Sequence, residues 1–206
     1  MLAERISKME GMTQNDRITL PLDEEDRSLL RAVCSGEERA LEMLYEKYGQ
    51  RLYSYAYRIC GDPRAAEDVL QDTLVITWQN ANRFRGQGRV IAWMLGIVNH
   101  QALKTLRHPT KRITEANEEI IPSNAPLPEE IYLHSENETA LKQGLEHLSL
   151  EHRTALELIF YQKLSYEEAA AVCHCPVGTI KSRVSQAKKQ LKGSMLSMSN
   201  GQEESK

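Results

Sequence analysis

Residues 164–191, LSYEEAAAVCHCPVGTIKSRVSQAKKQL, contain the local signals that decide the fold of the C-terminal part of the chain. Ser165 followed by Glu168 forms a capping box, in which a hydroxyl and a carboxylate each satisfy an unpaired N–H at a helix start. The pattern predicts a short helix over residues 166–172. Residues 173–175 then form a three-residue turn.

Pro176 suits the first position of a second helix, which we expect to run to about Lys192. A short helix, a tight turn and a long basic helix are typical of a helix-turn-helix. The apolar side of this second helix is formed by Val177, Ile180, Val184, Ala187 and Leu191. Hydroxyl, amide and cationic groups suited to base edges and phosphates lie elsewhere, at Thr179, Lys181, Ser182, Arg183, Ser185, Gln186 and Lys189. The alternative is an ordinary helical hairpin with a solvated basic face.

The turn also contains two thiols, Cys173 and Cys175. They could supply two metal ligands, but a structural zinc site needs four, so we expect no metal and no cofactor. Cys173 is better interpreted as a small core residue.

The N-terminal part is also predicted to be helical. Apolar side chains recur at spacings of three and four between Leu41 and Ile59, and Gly61 ends that helix. Asp62 and Pro63 start the next helix as cap and first residue, and it runs to about Asn80, burying Ala66, Leu70, Leu74 and Trp78. Another helix is expected from Val90 to Arg107. No segment alternates with period two, so the fold class is all-α.

Charge divides the 206-residue chain into blocks. Residues 73–114 and 169–202 contain Lys and Arg but no Asp or Glu, whereas residues 113–141 contain seven Glu and no Lys or Arg. We expect two polyanion-binding surfaces joined by a flexible acidic linker. The predicted layout is a flexible tail (1–22), a helical domain (23–108), the linker (109–137), a helix-turn-helix domain (138–193) and a second flexible tail (194–206).

Several classes of function are disfavoured. The sequence has no apolar run near the ~20 residues of a membrane span and no secretory h-region, so we expect a cytoplasmic protein without membrane insertion. It has no P-loop, GxSxG or HExxH motif, so we expect no catalytic residue and no enzyme activity.

The two blocks together resemble the extracytoplasmic-function (group IV) sigma factors of the sigma-70 family. LSYEEAAAV…CPVGTIKSRVSQAKKQL resembles region 4, which reads the promoter −35 element. LYEKYGQRLYSYAYRICGDPRAAEDVLQDTLVITWQN resembles regions 2.1–2.2, and RFRGQGRVIAWMLGIVNHQALKTLRH resembles regions 2.3–2.4, which open and read the −10 element. The resemblance implies a protein that binds core RNA polymerase and promoter DNA, with an anti-sigma factor as a further partner.

The resemblance implies that the protein partner, core RNA polymerase, is contacted at two places. These are the clamp coiled coil of its largest subunit and the flap. Positions 68, 71, 72, 75 and 79 share one helix face. The residues matching the clamp contact are Asp68, Gln71 and Asp72.

For the −10 element, the resemblance implies backbone cations and a pocket for an extruded base. The matching residues are Arg83, Arg85, Arg89, Trp93, Asn99, His100 and Arg107. For Trp93, a second interpretation fits the sequence at least as well as a contact with DNA, namely a hydrophobic anchor in the core. The position that is often Asn in the family is His100 here, with Asn99 just before it, which leaves base selectivity open.

For the −35 element, Lys181, Ser182, Ser185 and Gln186 match base- and backbone-contacting positions, and Thr179 and Arg183 match phosphate contacts or packing residues. His174 stands where the family often has a turn glycine. If the turn needs a positive φ at this position, histidine can adopt it at some cost.

Two other classes of function stay open. A stand-alone helix-turn-helix regulator would explain residues 138–192 but not the face containing Asp68, Gln71 and Asp72. A redox or metal sensor built on Cys173 and Cys175, or a protein-interaction adaptor, is the third class.

Overall fold

The computed structural model describes residues 22–107 and 148–200, and the predictions made for residues 1–21, 108–147 and 201–206 lie outside these ranges. The described residues are helical and contain no strand, which confirms the all-α fold class. The helices are α1 (Leu22–Cys34), α2 (Glu38–Cys60), α3 (Pro63–Asn80), α4 (Val90–Arg107), α5 (Leu150–Leu156), α6 (Tyr166–Val172) and α7 (Val177–Asn200), with a 3₁₀ turn at Ala81–Arg83 and a π-helical turn at Glu157–Tyr161.

Helix α2 forms the centre of the first unit, residues 22–107. Its side chains Leu44, Leu52 and Tyr55 are completely buried between α1, α3 and α4. Helix α1 is tied to it by the buried carboxylate of Asp26, which accepts a hydrogen bond from the Tyr48 hydroxyl. Burial and then the neighbouring Asp26 raise the pKa of Tyr48, so this hydroxyl stays a donor.

The connection from α2 to α3 follows the local sequence. Gly61 adopts a left-handed φ of 71° and donates its N–H to the Tyr57 carbonyl, which ends α2. Asp62 caps α3 by accepting from the Ala65 N–H at 2.7 Å. The predicted start and end of α3 are confirmed.

The buried face of α3 differs from the predicted one. Leu70, Leu74 and Trp78 are only half-buried, whereas Val69, Thr73 and Thr77 are buried with Ala66. Thr73 can be buried because its hydroxyl donates to the Val69 carbonyl of its own helix at 2.7 Å, which satisfies the polar group. The prediction placed the bulkiest apolar residues of α3 in the core. The face that is observed to be buried is therefore rotated about the helix axis from the predicted one.

The second unit contains the predicted helix-turn-helix. The Ser165 hydroxyl accepts from the Glu168 N–H at 3.1 Å, and the Glu168 carboxylate accepts from the Ser165 N–H at 2.9 Å. The capping box and the predicted bounds of α6 are thus confirmed. The buried side of α7 contains Ile180, Val184, Ala187 and Leu191, as expected, while Val177 is half-buried.

Both ends of α7 depart from the prediction. Pro176 precedes the helix and its carbonyl accepts from the Thr179 N–H at 2.9 Å, so it acts as the cap and not as the first helical residue. The helix ends at Asn200, so residues 194–200, predicted as tail, are helical. The predicted helix ended at about Lys192 because its apolar side ends at Leu191. A single glycine, Gly193, costs only about 1 kcal/mol, and the residues after it are compatible with a helix. At the other terminus, α1 starts at Leu22, one residue inside the predicted tail.

The two units pack against each other. Helix α4 lies against α6, and the buried apolar side chains of both units form one continuous cluster. The sequence predicted two domains on a linker and contained no signal for this contact. No helix in the described ranges is both long and apolar enough to cross a membrane.

Candidate nucleic-acid interface

The exposed face of α7 carries most of the predicted −35 residues. Lys181, Ser182, Ser185 and Gln186 are exposed on the side opposite the buried stripe of this helix. Their hydroxyl, amide and ammonium groups therefore face solvent along one helix side, where they could reach base edges or phosphates in a major groove.

Neighbouring side chains hold this face in place. The Gln186 side chain contacts the His152 ring at 3.1 Å and donates to the Ser182 hydroxyl at 3.4 Å. The Lys181 ammonium lies 5.7 Å from the centre of the Tyr166 ring. These contacts are exposed and weak, so the groups can exchange them for contacts with DNA.

Thr179 and Arg183 have different surroundings from the other predicted −35 residues. Both are half-buried, and the Arg183 guanidinium contacts the Glu151 carboxylate at 3.2 Å and the Cys175 Sγ at 4.0 Å. Arg183 thereby links α7 to α5 and to the turn. Of the two roles expected for it, packing is the one visible in this arrangement.

The turn before α7 contains His174 with a φ of 51°. Its N–H donates to the Ala171 carbonyl at 3.3 Å, and the Cys175 N–H donates to the Ala170 carbonyl at 3.0 Å, which is a Schellman motif closing α6. The left-handed conformation that a turn glycine would adopt is therefore present at His174. This turn sets the angle at which α7 leaves α6.

Burial raises the pKa of the Cys173 thiol to about 12, with a smaller contribution from Cys175. A thiol with this pKa is almost entirely protonated at neutral pH and is a poor nucleophile or metal ligand. Among the described residues, no group of three His, Cys, Asp or Glu side chains could hold a metal ion.

Cations of the predicted −10 surface lie at both ends of α4. The exposed Arg83 and Arg85 lie in the segment before it, and the exposed Arg107 lies at its C-terminal end, where His100 and Lys104, which was not among the predicted residues, are also exposed. This distribution provides positive charge on either side of the helix that would meet an opened strand.

Trp93 is half-buried and its ring packs against Phe84, with ring centres 5.8 Å apart and tilted by 58°. The side chain thus anchors the loop to α4. The core-anchor interpretation and a partly exposed stacking surface are both compatible with this position.

Two other predicted −10 residues point into the contact between the units. Arg89 donates from Nε and Nη2 to the two carboxylate oxygens of Glu168, at 2.6 and 2.7 Å. Asn99 is 4% exposed, and its amide nitrogen donates to the Val172 carbonyl at 3.3 Å. In this arrangement the buried Asn99 amide is not available to DNA, while the Arg89 guanidinium is paired with Glu168 and its side chain stays 38% exposed.

The predicted polymerase-binding face lies on α3. Asp68, Gln71 and Asp72 are all exposed on it, together with Gln79. Val75 lies at the centre of this face and is 53% exposed. An exposed apolar residue surrounded by acidic and amide groups is suited to a protein surface rather than to a polyanion.

Sequence reasoning missed the residues that join the two units. Glu157 is 5% exposed and accepts two hydrogen bonds from Arg58, while Arg51 donates from Nε to the Gln162 side chain at 2.8 Å. One signal was present: Glu157 interrupts the apolar run ALELIF, and a carboxylate in such a run requires a partner. Nothing in the sequence indicated that the partner is Arg58.

Comparison with known proteins connects both units to one family. The profile for sigma-70 region 2 matches residues 44–112, and that for sigma-70 region 4 matches residues 138–191. The RNA polymerase sigma-H factor of Pseudomonas aeruginosa is 30% identical over 178 residues, covering 82% of this chain and 92% of that protein. The sigma-E factor of Escherichia coli K12 is 28% identical, with 81% and 92% covered.

A solved structure gives the same result. The sigma factor RpoE of Bartonella quintana, in complex with the anti-sigma factor NepR, is 30% identical and superposes with a TM-score of 0.59, covering 75% of this chain and 95% of that one. The family profiles match both the N-terminal helical unit and the helix-turn-helix unit. The chain therefore belongs to the sigma-70 family of RNA polymerase sigma factors, in its extracytoplasmic-function group.

Proposed function

We propose that this protein binds core RNA polymerase and directs it to specific promoters, by recognising −35 and −10 elements and opening the DNA. The observation that carries the proposal is that one chain combines a region 4 helix-turn-helix with an exposed polar face on α7 and a region 2 unit with an exposed acidic face on α3. A DNA reader alone needs only the first of these surfaces.

The residue roles are part of the proposal. Asp68, Gln71 and Asp72 bind the clamp coiled coil of the polymerase, with Val75 as the apolar centre of that face. On α7, bases and backbone of the −35 element are contacted by Lys181, Ser182, Ser185 and Gln186, while Thr179 and Arg183 contact phosphates or pack against the rest of the unit. The −10 strand is contacted by Arg83, Arg85, Arg89, Trp93, Asn99, His100 and Arg107.

No residue of this chain is assigned a covalent step. The polymerase forms the phosphodiester bonds, and this protein supplies positioning and strand separation.

We place its action in the cytoplasm, where the polymerase works. We keep residues 23–108 and 138–193 as the two domains, with residues 109–137 as the linker. Sigma-factor relatives form complexes with anti-sigma factors, and we propose such a partner for this chain.

A stand-alone helix-turn-helix regulator is the second candidate. It would use α6 and α7 but would leave the acidic face of α3 without a function. The region 2 match and that face favour the sigma factor.

Run-off transcription with core polymerase on a library of promoter sequences tests the proposal. The intact chain is expected to start RNA synthesis at a defined subset, and a chain that starts none would refute it.

Asp72→Lys is expected to abolish association with core polymerase, because it places a cation on the face proposed to meet the clamp. Asp72 is exposed, so circular dichroism should show an unchanged helix content. The matched control is Glu38→Lys, the same charge change at an exposed residue of α2. Normal core binding by Asp72→Lys would show that the face is wrongly assigned.

A further inference from the structure

His152 of α5 contacts a side chain proposed to read the −35 element, although it lies outside the helix-turn-helix. Its Nε2 lies 3.1 Å from Oε1 of Gln186 on α7. The sequence gave no reason to place His152 among the −35 residues, because it precedes Gln186 by 34 positions and shares no helix with it. The amide of Gln186 therefore has a neighbour that can decide which of its two ends is presented to DNA.

His152 is held in place at the start of α5. Its backbone N–H donates to the Ser149 hydroxyl at 3.3 Å, which caps this helix. The preceding residue, Glu151, pairs with Arg183 at 3.2 Å, about one turn before Gln186 on α7. Two consecutive residues of α5 thus contact two neighbouring positions of α7, and the imidazole has a defined place beside the Gln186 amide.

The surroundings of the other ring nitrogen decide the tautomer of His152. Its Nδ1 is buried and has no hydrogen-bond partner in the part of the chain that the structure describes. A neutral imidazole has one N–H and one bare nitrogen. Buried N–H groups without an acceptor are rarer in native structures than buried acceptors without a donor. The hydrogen is therefore best placed on Nε2, which donates to Oε1 of Gln186.

This tautomer orients the Gln186 amide. Because its oxygen accepts from His152, its NH₂ group lies on the side of Ser182, to whose hydroxyl it donates at 3.4 Å. That bond is long, and it uses one of two N–H groups, so the amide keeps a donor for a ligand. Ser182 and Gln186 are both exposed. The end of the amide that lies beside the other exposed residues of α7 is thus a donor and not an acceptor.

The purine edges in the major groove differ in how well they match such a donor. Guanine presents two acceptors, O6 and N7, whereas adenine presents the N7 acceptor beside the N6 donor. A glutamine pairs with adenine when both ends of its amide face the base. With its oxygen held by His152, the Gln186 amide offers N–H groups alone, and these suit guanine.

We propose that His152 is a positioning residue, which makes Gln186 a hydrogen-bond donor and so favours guanine over adenine at the −35 base pair that Gln186 contacts. This inference rests on the proposed function. His152 acts through Gln186 by occupying its oxygen, and it needs no contact of its own with DNA. Without His152 the amide can turn, and both of its ends can then pair with adenine.

Run-off transcription with core polymerase, on promoters that carry each base pair at each −35 position, measures this preference. The contacted position is the one at which Gln186→Ala removes discrimination between bases. There the native chain should use guanine over adenine by about fivefold or more. His152→Leu keeps an apolar side chain of moderate size and removes the donor, so it should abolish or reverse the preference.

His152→Glu should reverse the preference. A carboxylate accepts hydrogen bonds and does not donate them, so the Gln186 amide should turn its NH₂ group to Glu and present its oxygen. Base edges with a donor, those of adenine and cytosine, should then be favoured. The added charge changes attraction to phosphates on every promoter alike and leaves the ratio between bases unaffected. The matched control is His152→Lys, which has donors alone and should keep the preference for guanine.

A merely structural role of His152 would not give these results. In the Gln186→Ala background, His152→Leu should change no base preference, because no amide is left to orient. A changed preference in that background would overturn the proposal. An unchanged guanine preference in the His152→Leu single variant would overturn it as well.

The contact itself is measured without polymerase. In the isotope-labelled full chain, nuclear magnetic resonance distinguishes the two tautomers of His152 at mildly alkaline pH, where an imidazole is neutral. A protonated Nε2 and a bare Nδ1 are expected, and the reverse would overturn the proposal. Failure of the proposed function looks different: no promoter with any base would then start specific RNA, whereas specific initiation with a base preference independent of His152 refutes this inference alone.

Discussion

His174 occupies a left-handed backbone conformation that non-glycine residues rarely adopt. The two hydrogen bonds that close α6 require this conformation, so the fold tolerates its cost. The left-handed region costs roughly 1–2 kcal/mol for a residue with a Cβ, while glycine loses roughly 0.5–1 kcal/mol through its greater freedom when unfolded. The side chain at this position therefore affects stability through the backbone.

We expect His174→Gly to leave the free energy of unfolding unchanged or to raise it by up to about 1 kcal/mol. His174→Val should lower it by about 1–2 kcal/mol, because a β-branched residue fits a positive φ poorly. Urea unfolding of both variants measures the difference. Equal stability of the two would mean that the turn relaxes to another conformation.

At the scale of the element, helical periodicity places the packed side chains of α7 and those proposed to contact DNA on different sides of the helix. Ile180, Val184 and Ala187 are buried on one side, and Lys181, Ser182 and Gln186 are exposed on the other. Substitutions on the exposed side should change DNA binding with little effect on folding, because they remove no buried surface.

Lys181→Ala and Gln186→Ala should each weaken use of a −35 element by about 1–3 kcal/mol if these side chains contact bases. Run-off transcription on promoters with single changes in the −35 element measures this dependence. Lys189→Ala, at another exposed position of the same helix, serves as a comparison. An equal loss on every promoter would identify the changed residues as phosphate contacts.

At the scale of the whole molecule, two carboxylates lie where the two units pack together, those of Glu168 and Glu157. Their pKa values are shifted in opposite directions. Burial would raise the pKa of Glu168, but hydrogen bonds from Arg89 and the Ser165 N–H outweigh it and lower the pKa below its ordinary value. For Glu157, burial dominates over Arg58 and raises the pKa. A lowered carboxyl pKa stabilises the folded chain above the unfolded-state value, and this contribution is lost as the pH falls through the folded-state pKa.

Glu168→Gln keeps a capping side chain and removes the charge. At pH 7 it should lower the free energy of unfolding by about 1.5–3 kcal/mol, the range for hydrogen bonds to charged groups. The difference from the native chain should shrink as the pH falls below the ordinary glutamate value of 4.5, because Glu168 then loses its charge as well. Urea unfolding across this range measures it. A difference that is constant with pH would assign the effect to packing.

Most element boundaries could be predicted because they depend on residues within one turn of each other. Gly61, Asp62 and Pro63 end one helix and start the next, and Ser165 with Glu168 starts α6. The buried face of α3 was predicted less well, since Thr73 satisfies its hydroxyl within its own helix and competes with leucine for the core.

Four of the six predicted −35 residues and all three predicted polymerase-binding residues lie on exposed helix faces, as helical periodicity leads one to expect. The predicted −10 residues do not share one environment. Arg83 and Arg85 are exposed, whereas Arg89 is half-buried and paired with Glu168 of α6, and Asn99 is buried against α6. No local pattern distinguishes Arg89 from Arg85, because the difference lies in a partner at position 168.

The sequence by itself determined most of the helices, the helix-turn-helix and the family, since these follow from short-range caps, periodicity and motifs, whereas α1 and α5 were not predicted. Only the tertiary structure decided which cations are available, because the pairing of Arg89 with Glu168 depends on how two separately recognisable units pack, and a contact between residues 79 positions apart leaves no periodic signal in the chain.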